Sequence, residues 1–163
     1  MSVATIIRKT AADLRMPPNW QDFEGERRTF SWDAVRAGLA GLPGGGVNIA
    51  CEAVDRQADR LANKTAFRFL ARGEPARNIG FGELSLLTFR FANVLRSLGI
   101  GKGDRLFVLA GRIPELYVSV LGGLRNGTVV SPLFSAFGPE PIATRVNLGG
   151  GRVLVTTDAL YER

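Results

Sequence analysis

Residues 105–110 (RLFVLA), 128–133 (TVVSPL) and 152–157 (RVLVTT) are apolar nearly throughout rather than at alternate positions. A strand with one wet face alternates; a run without alternation belongs to a strand covered on both faces, as in a parallel sheet flanked by helices. The intervals between the runs are helical. Pro114 opens the first, where its missing N–H costs nothing, and Leu116, Tyr117, Val120, Leu121 and Leu124 follow at helical spacing until Asn126-Gly127. The second follows Gly138-Pro139 and stops at Gly149-Gly150-Gly151. Strand, helix, strand, helix, strand predicts a parallel β-α-β-α-β unit with right-handed crossovers, an α/β fold. Pro132 is expected at the end of its strand, because a proline donates nothing to a ladder.

Working outward, Leu84, Leu87, Phe91, Val94, Leu95 and Leu98 form one face of a long helix that begins near Phe81. Gly99 stands where a left-handed cap would end it. The grammar changes near Gly80. Residues 1–80 are irregular, with Pro17, Pro18, Pro43 and Gly44-Gly45-Gly46 interrupting short helical stretches. One such stretch runs from Trp32 to about Ala40 behind Ser31 as N-cap. Another follows Asn48, with Ile49, Ala50, Ala53, Val54, Ala58 and Leu61 inward and Asp55, Arg56, Asp59 and Arg60 outward. Residues 65–70 alternate as a short strand. Residues 1–15 read as an amphipathic helix on the surface, with a transit peptide as the alternative. They contain no apolar core of a secretory signal. The division is therefore 1–80, a helical and irregular N-terminal segment with a short strand, and 81–163, the start of a parallel α/β unit.

Composition excludes much chemistry. The chain has 163 residues, no histidine and one cysteine, Cys51, so a Cys/His zinc site, a Ser-His-Asp triad and a disulfide framework are all ruled out. Cys51 reads as a small core residue, since no cation stands near it in sequence. The net charge of +6 is divided equally between 1–80 and 81–163, and 18 of 21 basic residues are Arg. A nucleic-acid footprint needs clustered charge, so no nucleic-acid partner is expected. No apolar run approaches the roughly 18 residues of a membrane span, and a cytoplasmic protein with a reduced thiol is expected. Neither GxxxxGK[ST] nor GxGxxG occurs. Both glycine triplets read as plain loops, the second because it enters a strand at the amino end. Asp55 and Asp59, flanked by Arg56 and Arg60, read as a solvated helix face. No metal site and no self-sufficient catalytic constellation emerges from the residues.

Short segments in order then carry a resemblance. Residues 48–56 (NIACEAVDR) with Lys64-Thr65-Ala66, residues 81–84 (FGEL), residues 98–105 (LGIGKGDR), Ile113-Pro114-Glu115, residues 124–127 (LRNG) and residues 133–137 (LFSAF) resemble the opening region of AMP-forming acetyl-CoA and acyl-CoA synthetases, within the adenylate-forming enzymes. Gln57 replaces a frequent histidine. The resemblance implies a ligase that activates a small carboxylic acid with Mg-ATP to an acyl-adenylate and transfers the acyl group to coenzyme A. ATP, Mg2+ and CoA would be the cofactors of the parent enzyme, and none is expected on this chain alone. It also implies that the chain is an N-terminal fragment of a larger adenylate-forming domain. The family's phosphate loop and its C-terminal lysine domain lie beyond the matched region, so the isolated chain is expected to be inactive and to self-associate. The resemblance places Phe134, Ser135 and Ala136 beside the CoA passage, with Ser135-Ala136 in place of a frequent Gly-Gly. Arg163 is one position beyond an arginine used against CoA phosphates; Glu162 holds the matching position. The competing class is a self-contained small α/β binding or interaction module without catalysis.

Overall fold

The computed structural model describes residues 9–162, whose elements are two short helices, a third helix with a widened turn, a hairpin, and then alternating helix and strand. Two units are distinct, Met1–Gly38 and Leu39–Arg163. In the first, Ala11–Asp13 is a single 3-10 turn, in which the Asp13 carboxylate accepts from the Thr10 N–H and hydroxyl at 2.8 Å each. This turn replaces the surface helix expected over residues 1–15, whose first eight residues lie outside those described. Helix α1 (Phe23–Thr29) starts where the Asp22 side chain accepts from the Gly25 N–H at 2.9 Å. Helix α2 (Trp32–Ala37) stops at Gly38, short of Ala40, and Ser31 sits at its N-cap without a side-chain bond.

The second unit holds the rest. Asn48 opens its first helix as the sequence predicts: its Oδ1 accepts from the N–H groups of Ala50 and Cys51 at 3.0 and 3.3 Å. The next five residues, Cys51–Asp55, wind as a π-helix before α3 (Arg56–Leu61) resumes α geometry. The wider i→i+5 turn breaks the 3.6-residue phase. Ala50 and Val54 are buried, but Ile49 and Ala53 face outward and Asp55 turns inward. The expected solvated position of Asp55 is thus corrected, while Asp59 and Arg60 remain exposed.

Strands β1 (Thr65–Phe69) and β2 (Arg77–Gly80) form an antiparallel hairpin with an irregularity between Thr65 and Phe67. β1 matches the expected strand; β2 has no alternating pattern and is found only in the fold. Helix α4 (Phe81–Ser97) ends as expected at Gly99, φ +72°. There the N–H of Ile100 donates to the Leu95 carbonyl at 2.9 Å, and the Gly99 N–H donates to that of Arg96. Those paired bonds satisfy carbonyls that the helix leaves open. Strand β3 (Arg105–Leu109), helix α5 (Pro114–Asn126), β4 (Val129–Leu133), α6 (Pro139–Leu148), β5 (Val153–Thr156) and the turn α7 (Asp158–Tyr161) complete the unit.

The sheet order is β4-β3-β5, and both pairings are parallel, in the predicted β-α-β-α-β connection. β3 is central and buried from Leu106 to Leu109. Its side chains divide by parity. Leu106 and Val108 join Phe91 and Leu95 of α4, Leu116 and Val120 of α5, and Ile100 of the turn after α4. Phe107 and Leu109 join Leu133, Ile142, Val146 and Leu160 on the α6 side. A third cluster, Val54, Ile79 and Leu84, packs the hairpin and the π turn onto the far side of α4 and α5.

Two expectations about loops and prolines change. Pro132 is inside β4, opposite Val108, rather than at its end. Val129 donates its N–H inward to the Asp104 carbonyl at 2.8 Å, so alternate positions 130 and 132 point away from the sheet, and an edge strand tolerates a proline there. The triplet at 149–151 is a packing device rather than a plain loop. A Cβ on Gly149 or Gly151 would meet the Phe107 ring at 2.7–2.9 Å, so a substituted loop could not close over that ring.

Candidate functional site

The polypeptide leaves β3 toward α5 on one face of the sheet and leaves β4 toward α6 on the other. Such a divergence opens a crevice at the carboxyl ends of adjacent strands, where open α/β sheets bind ligands. Here its walls are residues 110–113 after β3 and residues 134–138 after β4. Phe134, Ser135 and Ala136, nominated from sequence, form the second wall together. The Phe137 N–H donates to the Phe134 carbonyl at 3.0 Å, making a tight turn. The two phenyl rings meet edge to face, 5.6 Å between centroids, and the Arg145 guanidinium lies over the Phe137 ring at 4.3 Å. Phe134 is 65% exposed, Ala136 is exposed and Ser135 is half-buried. Arg163 lies outside the described residues.

Sequence reasoning missed three neighbours. Gly111 and Gly138 border the crevice, and a Cβ on either would meet nothing within 4 Å. Neither has a positive φ, so neither packing nor backbone conformation accounts for the glycine. Arg112 is exposed between Gly111 and the start of α5. The only sequence signal for these residues is their position after a buried strand.

A second polar centre lies beneath the π turn. Arg125, whose side chain is 5% exposed, donates to Asp55 through both terminal nitrogens at 2.5 and 2.6 Å. It also donates to the Thr88 hydroxyl at 3.0 and 3.3 Å and lies 3.7 Å from the centroid of the Phe89 ring. The Ser85 hydroxyl donates to Asp55 at 2.6 Å. Burial pushes the Asp55 carboxyl up, but the bonds from Arg125 and Ser85 outweigh it and hold it below the ordinary aspartate value. These bonds tie α4, α5 and the π turn together, and the charges of Asp55 and Arg125 are spent on each other. The pair is 70 residues apart in sequence, and nothing in the pattern marks it.

Three further ionisable groups, Cys51, Glu52 and Asp104, are shifted by their surroundings. Cys51 is a poor nucleophile, because burial pushes its thiol up and the Asp55 charge adds to the shift. Glu52 accepts from the N–H groups of Gly41 and Ala40, which hold its carboxyl below the usual range. Asp104 is lowered by the Gly101 N–H and by Arg152. Among the described residues no group of three or more His, Cys, Asp or Glu converges to hold a metal ion. No described helix is long and apolar enough to cross a membrane.

A crevice at the carboxyl end of a parallel sheet is common to many chemistries, and similarity to other proteins distinguishes among them. The model of the AMP-binding enzyme family matches residues 54–163, which contain the whole sheet and both crevice walls. The chain belongs to this family. Among curated relatives, acetyl-coenzyme A synthetase of Bacillus subtilis (strain 168) is 32% identical over 146 residues, covering 89% of this chain and 26% of that protein. The acetyl-coenzyme A synthetase of Bdellovibrio bacteriovorus is 37% identical over 121 residues, 73% of this chain and 19% of that one. Among solved structures, the Brucella canis acyl-CoA synthetase superposes with a TM-score of 0.79 at 32% identity, over 86% of this chain and 26% of that one. The N-terminal subdomain of Klebsiella oxytoca NpsA, solved with anthranilyl-AMSN, gives 0.61 at 26% identity, over 68% and 28%. The chain therefore spans about a quarter or less of these curated relatives. The family resemblance and α/β fold read from sequence both hold.

Proposed function

We propose that this chain supplies the opening region of an AMP-forming acetyl- or short-chain acyl-CoA synthetase. Residues 1–80 are the N-terminal segment and residues 81–163 are the first part of its parallel subdomain. The reading rests on one observation: the family model matches residues 54–163, a range that includes both strands and loops that wall the crevice. In the parent reaction a small carboxylate attacks the α-phosphate of Mg-ATP, giving an acyl-adenylate and pyrophosphate, and the CoA thiol then displaces AMP. Two anions must meet in the first step, so cationic and backbone N–H groups have to offset the phosphate charge. Phe134, Ser135, Ala136 and Arg163 are assigned to the CoA passage. The exposed Phe134 ring suits the apolar arm of the cofactor, whereas Ser135 and Ala136 keep the backbone farther from it than glycines would. The protein works in the cytoplasm, without nucleic acid or membrane partners.

This chain alone performs neither half-reaction and self-associates through apolar surface. A chimera tests the main reading: residues 1–163 replace the matching region of the Bacillus subtilis relative. A soluble chimera that forms acetyl-CoA from acetate, ATP and CoA supports it; a folded chimera without acetate-dependent AMP formation overturns it. For the chain by itself, pyrophosphate release with acetate, propionate or butyrate is expected to stay at background. Turnover would refute the claim of inactivity.

A further inference from the structure

We infer that Arg145 is a positioning residue for the CoA step, holding the Phe134 ring at the crevice wall through the ring of Phe137. The inference deepens the assignment of Phe134 to the CoA passage and rests on that reading. It begins from a contrast between the two phenyl rings. Phe137 is half-buried and packs against the cluster of Phe107, Leu109 and Leu133, so its place is set by the sheet. Phe134 is mostly exposed, on a turn, and meets the Phe137 ring edge to face. An exposed ring on a turn samples several rotamers unless a neighbour holds it. The Phe137 ring supplies that neighbour.

Arg145 holds the Phe137 ring from a different element. In a helix a long side chain points back toward the N-terminus and lies over the preceding turn. From position 145 of α6 that direction leads toward residues 134–138, which precede the helix. One terminal nitrogen donates to the Pro141 carbonyl at 2.9 Å, and the guanidinium carbon stands 4.3 Å from the centroid of the Phe137 ring. A planar cation anchored at one nitrogen covers an aromatic face in a fixed orientation, which a flexible ammonium does not. The contacts therefore run from guanidinium to Phe137 to Phe134, from a helix to the crevice wall.

The consequence falls on CoA rather than on ATP. A side chain that must be immobilised on binding lowers affinity about two- to tenfold, and one already held does not. Without the guanidinium, Phe137 loses the group over its face, and Phe134 has to be ordered each time CoA binds. Adenylation comes before CoA in the parent reaction, so it should be untouched.

The test is a double-mutant cycle in the full-length chimera of residues 1–163 with the Bacillus subtilis relative. Arg145→Met keeps a stem along α6 and removes the planar cation. It should raise KM for CoA about fivefold and leave acetate-dependent pyrophosphate release unchanged. Added to Phe134→Ala, it should raise KM no further. Phe137→Leu, which removes the middle ring, should match Arg145→Met. In the chain by itself, the ring NMR resonances of Phe134 should shift in Arg145→Met; unmoved resonances would overturn the inference whatever the chimera does. An unchanged KM in Arg145→Met beside a raised one in Phe134→Ala would overturn it and leave the passage assignment standing. Additive effects would overturn it too, since Arg145 would then act on CoA through its own charge. A parallel loss of pyrophosphate release in Arg145→Met would reduce the residue to a general support of the fold and overturn its specific role. No change in Phe134→Ala would overturn the passage assignment and the inference together.

Discussion

Arg125 donates to Asp55 and Thr88 and stacks on Phe89 while almost wholly shielded from water. Removing one charge from such a pair strands the other, at about 3–5 kcal/mol for full burial. Asp55 keeps a quarter of its side chain exposed, so Asp55→Asn is expected to cost about 2 kcal/mol. Urea unfolding at neutral pH checks it. Replacing both partners, as Asp55→Leu with Arg125→Met, should cost less than the single change, because no charge is left buried. The carboxyl also sets a pH dependence. Its folded pKa lies below its unfolded one. Its contribution is therefore complete above the unfolded value of about 4 and is lost as pH falls through the lower folded value. The urea midpoint should drop between pH 6 and pH 3, and drop less in Asp55→Asn. An equal drop in both proteins would remove Asp55 from the account. In the crevice, Phe134→Ala in the active chimera should raise KM for CoA about tenfold while leaving adenylation unchanged, as loss of one ring contact would. A parallel loss of acetate-dependent pyrophosphate release would show that Phe134 serves the first step instead.

Helices α4 and α5 approach closely because α5 carries Gly122 and Gly123 at their contact and against the sheet. A Cβ on Gly122 would lie 2.9 Å from the Thr88 carbonyl oxygen and 2.8 Å from the Phe91 ring. A Cβ on Gly123 would meet the ends of the Leu106 and Val130 side chains. Backbone yields less than a side-chain tip, so the two glycines should respond differently. Alanine gains about 1 kcal/mol of helix propensity at either site. Overpacking costs about 1–3 kcal/mol, so Gly122→Ala should be net destabilising by about 1 kcal/mol and Gly123→Ala closer to neutral. Thermal unfolding of the two variants compares them directly; a more stable Gly122→Ala would mean that α4 shifts freely on α5.

At the scale of the whole molecule, the second unit is built in layers around β3. Helices α4 and α5 lie on one side of the sheet, α6 lies on the other, and the hairpin covers α4 and α5 from outside. Stability should therefore be graded. Hydrogen exchange is expected to be slowest at Leu106–Leu109, which are buried and paired on both sides, and faster in the hairpin, where β1 and β2 pair only with each other. Uniform protection across both sheets would argue against that gradation.

The sequence by itself determined the elements whose signals are local. Near-continuous apolar runs specified β3, β4 and β5 as strands of a parallel sheet, helical spacing specified α4 and α5, Gly138-Pro139 and the 149–151 triplet bounded α6, and Gly99 and Asn126-Gly127 marked helix ends that the fold closes with left-handed glycines. Shared segments along the chain identified the family and nominated Phe134, Ser135 and Ala136 in the turn after β4. Tertiary structure alone decided what depends on partners distant in sequence. The strand β2 has too little pattern to stand without β1, and Pro132 is tolerated within β4 only because that strand lies at an edge. Gly149 and Gly151 acquire their role from the Phe107 ring, which approaches from another strand. Asp55 was read onto the wrong face because a π turn adds residues to the helical repeat. Its true partner, Arg125, is brought to it by the packing of α5 on α4, and no local pattern encodes a contact made across three elements.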